Sequence, residues 1–210
     1  MNFANLLTLF RIILAPAFLI IYMLPKPNAY WAIPALWVIF IISEITDYFD
    51  GLAARILNQT SDFGRLFDPF ADTLVQITFF LCFLIDGIWG NGVIPVILFI
   101  IVIYREFSIL FLRNLMLKKG ITLGARMCGK IKTVAYIIAA GAALFTASLE
   151  RLIFIQSAVN SKIMSISENF YPYMKTASLI IFIISVCLAI ISFIDYLVIY
   201  QKTNNAQEIL

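Results

Sequence analysis

Residues 47–72 decide how this chain is read: Asp47-Tyr-Phe-Asp50-Gly51-Leu-Ala-Ala54-Arg55, eight further residues, then Gly64-Arg65-Leu-Phe-Asp68-Pro69-Phe70-Ala71-Asp72. Asp47 and Asp50 are three apart, and Asp68 and Asp72 are four apart, so each pair faces one side of a helix. Acids are expensive inside a membrane and mark sites there by default. Close carboxylates repel one another unless a cation joins them. Gly51 and Gly64 carry no side chain, so a ligand or a second helix can approach the backbone beside the acids. A donor set of oxygens alone suits Mg²⁺, Mn²⁺ or Ca²⁺. Four carboxylates are enough for two such ions, the arrangement that clamps a phosphoryl group from both sides. The bland reading is an acidic face turned to water or paired with Arg55 and Arg65. Those two arginines do not balance five acids once Asp62 is counted. Asp62 fits a helix N-cap and stands outside the metal set.

The rest of the 210 residues is largely apolar. The chain is 62% hydrophobic and 13% charged, with a mean hydropathy of +0.97; soluble domains are about half apolar and about a quarter charged. The apolar runs are long and do not alternate, so the class is an all-α integral membrane protein. One domain is expected over residues 1–210. The chain has no histidine, which removes histidine bases and histidine metal sites. The net charge of +3 includes no basic tract, so nucleic acid is not an expected partner. Cys82, Cys128 and Cys187 lie far apart in or beside apolar runs and read as buried free thiols. The N-terminus has no charged n-region and reads as retained sequence.

Runs near bilayer length occupy 6–24, 31–54, 65–88, 92–117, 130–149 and 173–201, which predicts six transmembrane helices after a short N-terminal interfacial segment. Basic residues set the orientation. Arg55, Arg65, Arg113, Lys118, Lys119, Arg126, Lys130, Lys132 and Lys202 fall on one side, against Lys26, Arg151, Lys162 and Lys175 on the other. That predicts both termini and the acidic stretch at the cytoplasmic face of the cell membrane. Residues 150–172 read as a connection lying in the outer interface. Small residues of the fifth span, Ala135 to Ala147, read as tight packing inside the bundle or, less simply, as a subunit interface. Asn58-Gln59-Thr60 matches a glycosylation triplet but falls on the cytoplasmic side and reads as chance.

Asp47-x2-Asp50-Gly51-x2-Ala54-Arg55-x8-Gly64-x3-Asp68-x3-Asp72 resembles, position by position, the signature of the CDP-alcohol phosphotransferases. The six-span layout with a cytoplasmic acidic site is similar too. The resemblance implies attack of an alcohol hydroxyl on the lipid-side phosphorus of a CDP-linked lipid, with CMP leaving. It implies Asp47, Asp50 and Asp68 as metal ligands and Asp72 as general base and further ligand. Gly51, Ala54, Arg55 and Gly64 would lie on the CDP-lipid side. Two Mg²⁺ or Mn²⁺ ions and a homodimer are implied in the same way. The bottom-up chemistry agrees: a pyrophosphate needs its charge neutralised, and without histidine a carboxylate is what remains to take the acceptor's proton. The lipid tails of CDP-diacylglycerol also explain a site at a membrane face.

The acceptor is read from other residues. Asn5-Leu-Leu-Thr8-Leu-Phe-Arg11 resembles the Asn-x-x-Thr-x-x-Arg opening of the phosphatidylglycerophosphate synthases, and the spacing puts the three polar groups on one helical face. Asn5 and Thr8 could reach phosphate oxygens of the CDP-lipid there; the other reading is an interfacial anchor with Arg11 snorkelling. Asp68-Pro69-Phe70-Ala71-Asp72 is similar to the same subfamily, although Thr73 stands where that subfamily often has Lys. Gly129-Lys130-Ile131-Lys132-Thr133 resembles its Gly-Lys-x-Lys-Thr segment. Arg105, Arg113, Lys130 and Lys132 would form a cationic pocket for the acceptor's phosphate, the acceptor being glycerol 3-phosphate. Positive-inside anchoring is the competing account of the lysines. Inositol phosphate or serine are the next acceptors. A cation transporter with an intramembrane acidic site is a different class, for which repeated, broken helices would be the mark; the chain shows no internal repeat.

Overall fold

The computed structural model describes the backbone of residues 3–26, 31–56, 62–118, 127–156 and 161–208, and the side chains of 6–26, 31–47, 67–117, 127–155 and 169–202. The described elements are six helices: α1 (Phe3–Tyr22), α2 (Ala32–Ile56), α3 (Asp62–Ile85), α4 (Val93–Lys118), α5 (Met127–Gln156) and α6 (Ser161–Glu208). No strand occurs among the described residues. In a bilayer this is expected, because a helix satisfies its own backbone groups where no water can. Among the described residues four stretches are long and apolar enough to cross a membrane: Phe67–Ile85, Val93–Leu117, Met127–Ile155 and Asn169–Lys202. The apolar part of α1, Leu6–Tyr22, is shorter, and the described side chains of α2 stop at Asp47.

Two expectations change. The separate interfacial segment at the N-terminus is absent among the described residues: α1 is one helix from Phe3. The 150–172 connection is largely helical. α5 runs on to Gln156, and α6 starts at Ser161 and continues through Pro172 as a 48-residue helix. At 1.5 Å per residue it is about 70 Å long, more than twice the hydrocarbon thickness. The sequence hid this because polar residues at the ends of a membrane helix look like loop.

The helices run alternately up and down, so one end of the bundle collects Arg11, Asp47, Asp72, Arg113, Lys130 and Tyr196. The start of α1 and the later part of α6 share that end. The other end is closed by the α3–α4 turn. Gly87 (φ 67°) ends α3 in the left-handed region, with Ile88 N–H donating to the Phe83 carbonyl at 3.0 Å. That is a glycine C-cap, and a Cβ on Gly87 would meet the Asn91 side chain at 2.0 Å.

Lipid tails are as apolar as leucine, so packing and hydrogen bonds hold such bundles together. The core is aromatic: Phe18, Phe79, Phe80, Phe83, Trp89 and Phe182 are buried. Trp89 stacks on Phe182 at 3.8 Å and 3°, and its Nε1–H donates to Ser178 Oγ at 3.0 Å. Ala139, Ala140, Ala143 and Ala147 of α5 are buried in this core, and Phe40 lies against Gly141. These small residues therefore pack inside the bundle. The three cysteines are free, but only Cys82 is buried; Cys128 is half-buried and Cys187 is exposed on α6.

The far end holds a second polar cluster. Lys26 Nζ lies 2.7 Å from Asp86 Oδ1 and 3.0 Å from Glu150 Oε2. Tyr22 Oη donates to Asp86 Oδ2 at 3.0 Å. Arg151, fully buried, donates to the Tyr22 carbonyl and lies over the Tyr22 ring. The sequence left Arg151 on an outer loop, whereas it ties the end of α1 to α5.

Candidate active site

A cavity of about 250 Å³ opens at the Arg11 end, and every helix contributes to its wall. Arg11 comes from α1, Ser43, Glu44 and Asp47 from α2, and Asp72, Thr73 and Gln76 from α3. α4 supplies Arg105, Glu106 and Arg113, α5 supplies Lys130, Lys132 and Tyr136, and α6 supplies Tyr196. The acidic and cationic groups, distant in sequence, thus face one space.

The acidic wall is organised by α1. Arg11 Nη1 lies 2.5 Å from Asp47 Oδ1 and 2.6 Å from Asp72 Oδ1. Thr8 Oγ1 donates to Asp68 Oδ1 at 2.7 Å. Thr8 and Arg11 are three apart on one face of α1, so a single helix face meets both α2 and α3. Of the two readings of Arg11, the snorkelling anchor is excluded, since its side chain is buried among the acids. Among the described residues no group of three acids is close enough to form a metal cage; the side chain of Asp50 lies outside them. Asp47 and Asp72 nevertheless come from different helices and share one cationic nitrogen. That shared position and the oxygen-only donors fit a hard divalent ion.

The cationic wall is more tightly committed than its sequence suggested. Glu106 Oε1 accepts from Arg105 Nη1 at 2.8 Å and from Lys132 Nζ at 2.8 Å. Arg105 also donates to the Ala189 carbonyl at 3.2 Å and to Ser192 Oγ at 3.0 Å. Lys132 lies 4.3 Å from the centre of the Tyr136 ring. Arg113 Nη2 donates to Tyr196 Oη at 3.1 Å and lies over the same ring. Lys130 is exposed on the cavity wall. Glu106 therefore fixes both inner cations, leaving Arg113 and Lys130 closer to the open end.

Glu44, Gln76 and Tyr196 are among the wall residues that the sequence does not single out. Glu44 is three residues before Asp47, and Gln76 is four after Asp72, so each extends an acidic helix face by one turn. That periodicity was the available signal. Tyr196 had none, because its approach to Arg113 spans 83 residues. Thr73 is buried and turns its hydroxyl to the Pro69 carbonyl at 2.9 Å. The side chains of Asn5, Asp50, Ala54, Arg55 and Asp62, and the surroundings of Gly51 and Gly64, lie outside the described residues, as does the Asn58 triplet.

Comparison with known proteins agrees with this geometry. A CDP-diacylglycerol–glycerol-3-phosphate 3-phosphatidyltransferase of Treponema pallidum is 35% identical over 160 residues, covering 76% of this chain and 67% of the relative. A protein of the same name from Bacillus subtilis is 37% identical over 155 residues, covering 68% and 76%. One from Wigglesworthia glossinidia brevipalpis is 37% identical over 145 residues, covering 66% and 74%. Residues 1–203 match the family model described as CDP-alcohol phosphatidyltransferase, and the chain, with its acid-lined and cation-lined cavity, belongs to the CDP-alcohol phosphatidyltransferase family.

Proposed function

We propose that this enzyme transfers the phosphatidyl group of CDP-diacylglycerol to glycerol 3-phosphate, releasing CMP and forming phosphatidylglycerophosphate. The observation that carries the reading is the single cavity in which Asp47 and Asp72 face Arg113, Lys130 and Lys132. One wall suits a metal-bound pyrophosphate, and the other suits a phosphorylated acceptor. The relatives' names point to the same donor and acceptor.

In this reading Asp47, Asp50, Asp68 and Asp72 hold Mg²⁺ or Mn²⁺, two ions in all, and Asp72 takes the acceptor's proton. When bound, such ions neutralise the pyrophosphate and stabilise the departing CMP. Gly51, Ala54, Arg55 and Gly64 contact the CDP-lipid, with Asn5 and Thr8 behind them. Thr8 acts by holding Asp68, and Arg11 by orienting Asp47 and Asp72. Arg113 and Lys130 receive the acceptor phosphate, while Arg105 and Lys132, fixed by Glu106, set the potential of the inner wall.

The single domain spans residues 1–210 with six membrane spans. The cavity end faces the cytoplasm, as the excess of basic residues there favours, and the lipid tails of CDP-diacylglycerol remain in the cell membrane. The functional unit is a homodimer. A transporter is disfavoured because the helices run unbroken past the acids, whereas transporters use unwound ones.

The test is CMP release by the purified protein with CDP-diacylglycerol and Mg²⁺, offering glycerol 3-phosphate, inositol phosphate or serine. Release is expected with glycerol 3-phosphate and is expected to stop on chelation. A preference for inositol phosphate or serine would reassign the acceptor, and no release with any alcohol would remove the enzymatic reading.

A further inference from the structure

Gln76 lines the cavity, and its Nε2 is buried with no hydrogen-bond partner among the described residues. It follows Asp68 and Asp72 at four-residue intervals, so it continues their face of α3 one turn further from the helix start. The same cavity is lined by Lys132, Glu106 and Tyr136. A buried amide without a partner costs about 1–3 kcal/mol, and a leucine would fill the same volume in an apolar helix without that cost. The unmet Nε2 is therefore a mark of a ligand acceptor atom that arrives later.

The chemistry selects which atom. A carboxamide offers both a donor and an acceptor, and a hydroxyl does the same, so the two match in either orientation of the amide. A phosphate offers acceptors only, and it is better met by the cations of α4 and α5. Asp72, one turn away, is where the reacting hydroxyl must come. We infer that Gln76 is a specificity-determining residue that hydrogen-bonds the acceptor's second hydroxyl, on the carbon next to the one that reacts. The inference rests on the acceptor reading above. It gives the site a means of telling a vicinal diol phosphate from a simple alcohol phosphate. A site built to bond a hydroxyl rejects an analogue lacking it, because its own polar group is then left unpaired.

The experiment compares glycerol 3-phosphate with 1,3-propanediol monophosphate, which lacks the central hydroxyl, using the full-length protein, CDP-diacylglycerol and Mg²⁺. The wild type is expected to lose roughly tenfold or more in kcat/KM on the analogue. Gln76→Leu is expected to treat the two acceptors alike, falling about tenfold on glycerol 3-phosphate with the KM for CDP-diacylglycerol unchanged. Gln76→Met, of similar length and also apolar, gives the same comparison should the leucine variant not fold. A variant that keeps the wild-type discrimination, or a wild type that shows none, overturns the inference alone. A wild type releasing no CMP with glycerol 3-phosphate overturns the acceptor reading, and this inference with it.

Discussion

Arg11 and Asp72 are 61 residues apart in the chain, yet Arg11 Nη1 lies 2.6 Å from Asp72 Oδ1. The same nitrogen reaches Asp47, so one buried guanidinium spans α2 and α3. Removing it leaves two carboxylates facing each other. Both are partly exposed, at 39% and 48% of their side-chain surface, so solvent screens part of the loss, and Arg11→Gln should cost about 1–2 kcal/mol. Thermal unfolding in detergent should show a lower midpoint for the variant in chelator. Added Mg²⁺ should raise that midpoint more than it does for wild type, since the ion then supplies the only shared cation. An equal Mg²⁺ response in both proteins would argue against a shared site.

Asp72→Asn keeps the shape of the side chain but removes its ability to accept a proton. Turnover should fall by about 10²-fold or more, as for loss of a general base. Binding of CDP-diacylglycerol, followed by its protection against thermal unfolding, should remain. Turnover near the wild-type rate would exclude Asp72 as the base.

Glu106 is the shared acceptor of Arg105 and Lys132, and all three side chains are largely buried. Glu106→Gln removes the charge that joins them, and breaking a buried pair typically costs about 3–5 kcal/mol. The unfolding midpoint should drop, and the KM for glycerol 3-phosphate should rise more than that for CDP-diacylglycerol. Equal rises for both substrates would show that the α4–α5 wall does not serve the acceptor.

At the far end Asp86 accepts from Tyr22 and pairs with Lys26. Asp86→Asn should lower stability by about 1–2 kcal/mol and leave both KM values unchanged, because none of its partners lines the cavity. A selective change in one KM would mean that the two ends of the bundle are coupled.

Much of the site was legible because its spacing is helical. Asp47 with Asp50, and Asp68 with Asp72, could be paired by periodicity alone, and the absence of histidine narrowed the chemistry to carboxylates. Arg11 could not be placed, since a helix face of Asn5, Thr8 and Arg11 reads equally as a phosphate contact or as an interfacial anchor. Arg105 and Lys132 line the same cavity, but their commitment to Glu106, Ala189 and Ser192 depends on how α4, α5 and α6 cross. Gln76 offers only its spacing from Asp72, since an amide in an apolar run carries no charge. Residues 150–172 looked like a connection because hydropathy measures fitness for lipid, not helicity, and helices continue past the bilayer wherever neighbours support them.

The sequence by itself determined the all-helical membrane class and the helical spacing of the acids, because both follow from local periodicity and the cost of exposing backbone to lipid. It also carried the family signature. Only the tertiary structure decided which cation meets Asp47 and Asp72, that Glu106 locks the opposite wall, and that Gln76 faces the same space with its amide unmet. Those relations join residues dozens of positions apart on different helices. They depend on how the helices are rotated and packed against one another, which local pattern does not specify.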